Sequence, residues 1–394
     1  MIKVNKLPFV LLAALLITAL FVGGVFIYSL VTTLLSIILL SYWSGKSVYK
    51  NIVNILWKNN DRLQVGETVK IELEFYNSGI FPIPYMKVRT SFSKRLTGEP
   101  ERDLVYSIMP GSKAIITKEF VCKNKGIYPI GYAEVEFGDA MGIFKWKKTF
   151  QTDVTLYVYP RVYNLKSLSI PYRQNFGTVP VNHSAYEDFA SVRDIRKYAM
   201  GDSFKKIHWK VTAHKGEFYV KNLELNATAD INVFWDLYHK NYVGELADDI
   251  EELGAECAVS IIQFALKNNM PVSLFAKEEH SIKLSGTGIA RYPEFLDQIT
   301  KAQVTGDTPV WELVKREAYK LNLGATAIVV TPSLDDEALD ILMGFKSKGI
   351  EFVVYYICRS KELTNSNVDA LSKKGITVNA LSLTDDIRFV LGGS

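Results

Sequence analysis

Cysteine is scarce in this sequence. Cys122, Cys257 and Cys358 are odd in number and widely separated, which argues against a disulfide framework and for a reducing compartment. No CxxC pair and no Cys/His cluster at zinc spacing occurs. The phosphate-cradling loops are missing too. There is no GxGxxG and no GxxxxGK followed by Ser or Thr, so neither a dinucleotide nor a nucleoside triphosphate has its usual seat. No low-complexity tract or alignable repeat interrupts a composition ordinary for globular proteins.

Charge is absent from one long stretch. From Leu7 to Trp43 no residue is ionisable as Lys, Arg, Asp or Glu. One straight helix of that length would run about 55 Å, against about 30 Å of hydrocarbon. A signal peptide fits poorly, because the run is too long and no small-residue cleavage site follows it. Two short spans meeting near Gly23-Gly24 or Tyr28-Ser29 fit better. Lys3 and Lys6 precede the run, and Lys46, Lys50 and Lys58 follow it; cations on both flanks place both ends in the cytoplasm. The alternative is one long tilted span with the remainder outside.

After Asn60 the period becomes two. Val69, Ile71, Leu73 and Phe75 alternate with Lys70, Glu72 and Glu74, as in a half-buried strand. Further strands are expected at Tyr85 to Phe92, Ser112 to Val121, Gly131 to Phe137 and Val154 to Tyr159, separated by Pro- and Gly-containing turns. Short strands with regular turns predict an immunoglobulin-like β-sandwich. Nothing in it gathers titratable groups, so the expected role is scaffold.

From Ala229 strands and helices alternate. "DINVFWD" reads as a buried strand ending in Asp236, and Leu246, Ile250, Leu253, Cys257, Ile261 and Phe264 then recur at helical spacing behind an acidic first turn. Strands "MPVSLFA", "TAIVVT" and "EFVVYYI" alternate with helices over 294–303, 310–321 and 334–348, and a last helix and strand run through Val378. That pattern predicts a doubly wound, mostly parallel sheet. Ligands of such sheets bind beyond the carboxyl ends of the strands, which points to the loops after Asp236 and Thr331. Asp236 suits a metal or catalytic ligand, and equally a cap for the next helix. Cys257 lies on the apolar stripe, where an inert buried thiol is expected.

Basic residues concentrate between Arg193 and Lys221, with eight cations against three carboxylates, while the whole chain carries +4. Arg193, Arg196, Lys205, Lys206 and Lys210, with Tyr198 and Trp209 interleaved, suit a phosphate, an acidic protein surface or anionic lipid headgroups. The alternative is internal pairing, for example with the acid-rich helix beginning at Glu245. Nucleic acid is not expected of a membrane-tethered chain with so mild a charge. Asp202 and His208 could form an acid-base set. Asp202 equally suits a turn or an N-cap of "SFKKIHW", and His208, between Ile207 and Trp209, suits a structural position.

Over Glu187 to Glu224 the chain resembles the domain of unknown function 58 family. The resemblance rests on Glu187, Phe189, Arg196, Tyr198, Gly201, Asp202, Lys206, Ile207, Trp209, Lys210, Ala213 and Val220. It implies an α+β multidomain chain: a transmembrane hairpin over 1–45, the sandwich over 46–165, a linker with the basic Gly-Asp segment over 166–228, and a von Willebrand factor type A-like α/β domain over 229–394. It also implies a non-enzymatic, membrane-anchored partner of MoxR-type AAA+ ATPases and of other type A proteins, assisting assembly or activation of further proteins. The expected binding residues are Arg193, Arg196, Tyr198, Gly201, Asp202, Lys206, His208, Trp209 and Lys210. A metal-dependent type A domain needs Asp-x-Ser-x-Ser after its first strand. Here Asp236, Tyr238 and Lys240 hold those positions and Thr331 is followed by Pro332, so a degenerate site without metal or cofactor is expected, its carboxylate neutralised by Lys240. The competing readings are a hydrolase using Asp202 and His208, and a protein that binds anionic lipid or the cell envelope.

Overall fold

The structure, a computed structural model, describes residues 2–58, 62–90, 92–100, 103–168, 192–200, 202–204, 207–223, 230–322, 325–348, 350–359 and 366–392. It divides into two units, Met1–Arg161 and Val162–Ser394.

The first unit is β-rich with a helical insertion near its start. Strand β1 (Ile2–Val4) precedes helices α1 (Leu7–Phe21) and α2 (Val25–Asn51). Then follow β2 (Ile52–Lys58), β3 (Arg62–Gln64), β4 (Thr68–Asn77), β5 (Ile83–Thr90), the single turn α3 (Lys94–Thr97), β6 (Leu104–Ile108), β7 (Lys113–Val121), β8 (Gly126–Pro129), β9 (Tyr132–Gly138), β10 (Phe144–Gln151) and β11 (Thr155–Tyr159). One sheet has the order β1-β10-β9-β5-β6, a second β2-β4-β7 and a third β3-β11-β8. The period-two pattern of β4 buries Val69, Ile71, Leu73 and Phe75. These side chains share one core with Met86 and Val88 of β5 and Val135 and Phe137 of β9. Each fully buried residue of this kind contributes about 1.5–3 kcal/mol, so the sheet faces are held by the alternation itself.

The charge-free stretch becomes the two helices. α1 ends at Gly23-Gly24, whose φ of 66° and 104° suit glycine alone. α2 turns back along it, and Tyr28 Oη donates to the Ala19 carbonyl at 3.4 Å. α2 is long and apolar enough to cross a membrane, and α1 is a shorter apolar helix of 15 residues. The lower half of α2 belongs to the β unit. Ile38, Ser41, Gly45 and Val48 are buried at the three-and-four spacing of one helix face. A Cβ on Gly45 would lie 2.1 Å from Trp146 Nε1, so only glycine lets the helix approach the sheet this closely. Asn51 passes straight into β2, and Ile2 and Val4 of β1 pair with Trp146 and Phe144 of β10. The helices are therefore inserted into the β fold.

The second unit contains the ribbon β12 (Val192–Lys197) and β13 (Tyr219–Leu223), joined through α4 (Trp209–Lys215). Its main body runs β14 (Ile231–Trp235), α5 (Ala247–Lys267), β15 (Val272–Lys277), β16 (Ser281–Gly286), α6 (Tyr292–Lys301), α7 (Val310–Ala318), β17 (Thr326–Thr331), α8 (Asp336–Lys346), β18 (Glu351–Cys358), α9 (Ser366–Lys373), β19 (Thr377–Ser382) and α10 (Ile387–Gly392). The sheet order is β16-β15-β14-β17-β18-β19, parallel except for β16, which pairs antiparallel with β15. β14 and β17 are buried along their whole length, because helices cover both faces of the sheet. α5, with Cys257, Ile261 and Leu266, seals one face, while α7 and α8 seal the other through Trp311, Val314 and Leu342.

Candidate functional site

The basic segment is built as a small ribbon that closes its own loop. Arg196 lies on β12 opposite Val220 of β13. Its guanidinium donates both arms to Asp202, Nη1 to Oδ2 at 2.8 Å and Nη2 to Oδ1 at 2.7 Å, the planar fork that arginine offers a carboxylate. Asp202 Oδ2 also accepts from the Ala199 N–H at 2.9 Å. Asp202 is thus tied back to its own strand. Internal pairing holds for Arg196, but its partner is Asp202 rather than the acidic start of α5. Lys197 pairs with Glu217 across the ribbon.

Helix α4 begins at Trp209, not just after Asp202. His208 is its N-cap, with Nδ1 accepting from the Val211 N–H at 3.3 Å, which satisfies one of the donors a helix start leaves open. Tyr198 stacks on Phe204 with ring centroids 5.7 Å apart and meets Phe218 edge-on at 6.2 Å. Trp209 and Lys210, in the first turn of α4, face solvent. Gly201 and Lys206 lie outside the described residues, as does the side chain of Arg193. Met200, Phe204 and Phe218 are exposed apolar neighbours of the same ribbon that a search for charged and titratable residues passes over.

A second site lies where the sheet order reverses. β14 and β17 are adjacent, and the chain departs from them toward opposite edges, so their carboxyl ends flank the crevice where doubly wound sheets bind ligands. Asp236 follows β14 and is buried, and Thr331 ends β17 and is buried with it. Thr331 Oγ1 donates to Asp236 Oδ2 at 2.7 Å, and Asn241 Nδ2 donates to the same oxygen at 2.8 Å. Oδ1 accepts from the Tyr238 N–H at 2.9 Å. Tyr242 Oη donates to the Asp236 carbonyl at 2.6 Å. Burial pushes the Asp236 carboxyl above its usual range, the three donated hydrogen bonds oppose that shift, and Asp335 adds to it.

The expected neutralisation by Lys240 is not what the structure places there. Lys240 Nζ lies over the Tyr238 ring, 5.8 Å from its centroid, and makes no ion pair with Asp236 among the described residues. The loop turns through a short 3₁₀ segment at His239–Asn241, which carries the ammonium outward and swings the neighbouring Asn241 amide inward. Sequence spacing drew attention to positions 238 and 240, whereas the side chain that fills the site is at 241. A divalent cation needs several hard oxygens in an octahedron. This loop offers Tyr238 and Lys240 where serines would stand, and the carboxylate already accepts three hydrogen bonds. The donor set does not fit Mg²⁺.

The strand order and the reversal-point carboxylate define a doubly wound α/β body. Residues 194–308 match the family model described as "Protein of unknown function DUF58", which bears out the resemblance carried by Arg196, Asp202, Trp209 and Lys210. The uncharacterized protein YeaD of Bacillus subtilis (strain 168) is 24% identical over 292 residues, covering 71% of this chain and 69% of the relative. Among solved structures, a von Willebrand factor type A protein from Catenulispora acidiphila is similar at 11% identity, with 43% of this chain and 41% of that chain covered and a TM-score of 0.29. An aerotolerance-related membrane protein from Bacteroides fragilis NCTC 9343 is similar at 12% identity, with 41% and 93% covered and a TM-score of 0.29.

Proposed function

We propose that the chain is a membrane-anchored, non-enzymatic docking protein whose basic ribbon presents a surface to a protein partner. One observation carries this reading: the residues of the ribbon divide into holders and presenters. Arg196 and Asp202 close the loop and His208 caps α4, whereas Trp209 and Phe204 remain 64% and 68% exposed beside the solvent-facing Lys210. A catalytic set would converge Asp202 and His208 on a substrate, but here each is engaged by backbone or arginine. Exposed aromatic residues next to cations are the usual anchors of protein interfaces.

In this reading α1 and α2 form a hairpin of two spans with both ends in the cytoplasm, supported by Lys3, Lys6, Lys46 and Lys50 at its base. The β unit is an immunoglobulin-like sandwich that serves as a scaffold. The resemblance to the DUF58 family supports a MoxR-type AAA+ ATPase as the partner, with other type A proteins as further partners.

Affinity purification of the full chain from native membranes tests this. A MoxR-type ATPase should co-elute, and its recovery should fall several-fold with Trp209→Ala and Lys210→Glu. Turnover of a hydrolysable substrate that is lost on His208→Ala, without any co-eluting ATPase, would replace the docking reading by the hydrolase one.

A further inference from the structure

The pairing register lines up one end of the β unit. Across the five-stranded sheet Val4 faces Phe144, Lys145 faces Gly138, Gly138 faces Tyr85, and Ile83 faces Ile108. Everything that leaves the sheet beyond this row closes the same end: the entry into α1, and the loops 78–82, 109–112 and 139–143. Each loop holds an apolar side chain out in solvent. Ile80 is 73% exposed, Met109 67% and Met141 63%. None of the three loops contains Lys, Arg or Glu. Their one acid, Asp139, is buried and accepts from Ser41 Oγ of α2 and from the Met141 and Phe144 N–H groups.

The opposite end differs in kind. There Thr90 faces Ala133 and Tyr132 faces Gln151, and the chain turns through the charged residues Lys94, Arg95, Glu99, Asp103 and Asp153. Three separate loops with apolar tips at one end, against charged loops at the other, mark a face made for an apolar partner.

The partner follows from continuity. The charge-free helices leave from this same end, and Trp43 of α2 packs edge-on against Phe81 of the first loop, with ring centroids 5.2 Å apart. Lys3, Lys6, Lys46 and Lys145 are exposed around the row. Tryptophan beside lysine at the base of an apolar helix is the composition of a membrane interface, and the cations suit anionic headgroups.

We propose that this end of the β unit seats directly in the lipid headgroup layer, with Ile80, Met109 and Met141 reaching the acyl boundary and the surrounding lysines meeting anionic headgroups. The β unit is then a second membrane contact rather than a domain hung from a tether. The proposal rests on the reading of α1 and α2 as membrane-embedded.

Nitroxide labels separate the two. Cysteines are introduced singly as Ile80→Cys, Met141→Cys, Leu35→Cys on α2 and Glu99→Cys at the charged end. The full chain, whose native cysteines are buried, is reconstituted in equimolar phosphatidylcholine and phosphatidylglycerol vesicles. The ratio of collisions with oxygen to collisions with an aqueous nickel chelate should be several-fold higher at positions 80 and 141 than at 99, approaching that at 35. Lipid exposure at 35 with water exposure at 80 and 141 overturns the seating alone. Water exposure at 35 overturns the membrane reading and the seating with it.

Discussion

Thr331 Oγ1 donates to Asp236 Oδ2 at 2.7 Å across the point where the α/β sheet reverses its order. With the Asn241 amide and the Tyr238 N–H, this contact turns a potential ligand site into an internally satisfied strand end. A hydrogen bond to a buried charged acceptor contributes about 1.5–3 kcal/mol. Thr331→Val keeps the shape and removes the donor, and should lower the stability of the full chain by that amount in chemical denaturation.

The same carboxyl predicts a pH dependence. Its folded pKa is raised above the ordinary 3.8, so between the two values the native state holds the proton more tightly than the unfolded chain does. Stability therefore falls as pH rises from the unfolded value through the folded one. Asp236→Asn cannot ionise. The stability of wild type relative to this variant should decline as pH rises above about 4. A difference that stays flat, or rises over that window, would contradict the raised pKa.

Gly45 predicts a steric effect. Its missing side chain lets α2 lie against Trp146, whose Nε1 is where a Cβ would fall. Gly45→Ala must push the helix from the sheet or displace the indole, at a cost of about 1–3 kcal/mol. A lower melting temperature and increased proteolysis at the α2–β2 junction should follow.

The thiols predict an absence of reactivity. Cys122, Cys257 and Cys358 are all buried, burial pushes the Cys122 thiol up to about 11, and that of Cys257 goes higher still. Since the thiolate is the reactive form, aromatic disulfide reagents should modify the native chain slowly and all three cysteines promptly in denaturant.

Much of this architecture was legible in the sequence because period and turn chemistry are local. The alternation in β4, the buried runs at Ile231–Trp235 and Thr326–Thr331 and the acidic start of α5 fall where the pattern placed them. The insertion of the helices into the β fold was hidden. The strand at Ile2–Val4 is three residues long, and its partner lies at Phe144–Trp146, a non-local pairing that leaves no periodic trace. The site was partly legible for a similar reason. Asp236 and Thr331 stand at strand ends, but the turn that brings Asn241 rather than Lys240 to the carboxylate depends on tertiary contacts. Likewise, Arg196 and Asp202 were visible as charges six residues apart, while their mutual pairing required the ribbon.

The reversal-point carboxylate offers the most direct test of the proposal that this body acts by docking, with its strand-end site closed. Calorimetric titration of the full chain with Mg²⁺ and with Mn²⁺ should give only heats of dilution, for wild type and for Asp236→Ala alike. A saturable micromolar binding heat in wild type that Asp236→Ala abolishes would show an open cation site and contradict the account.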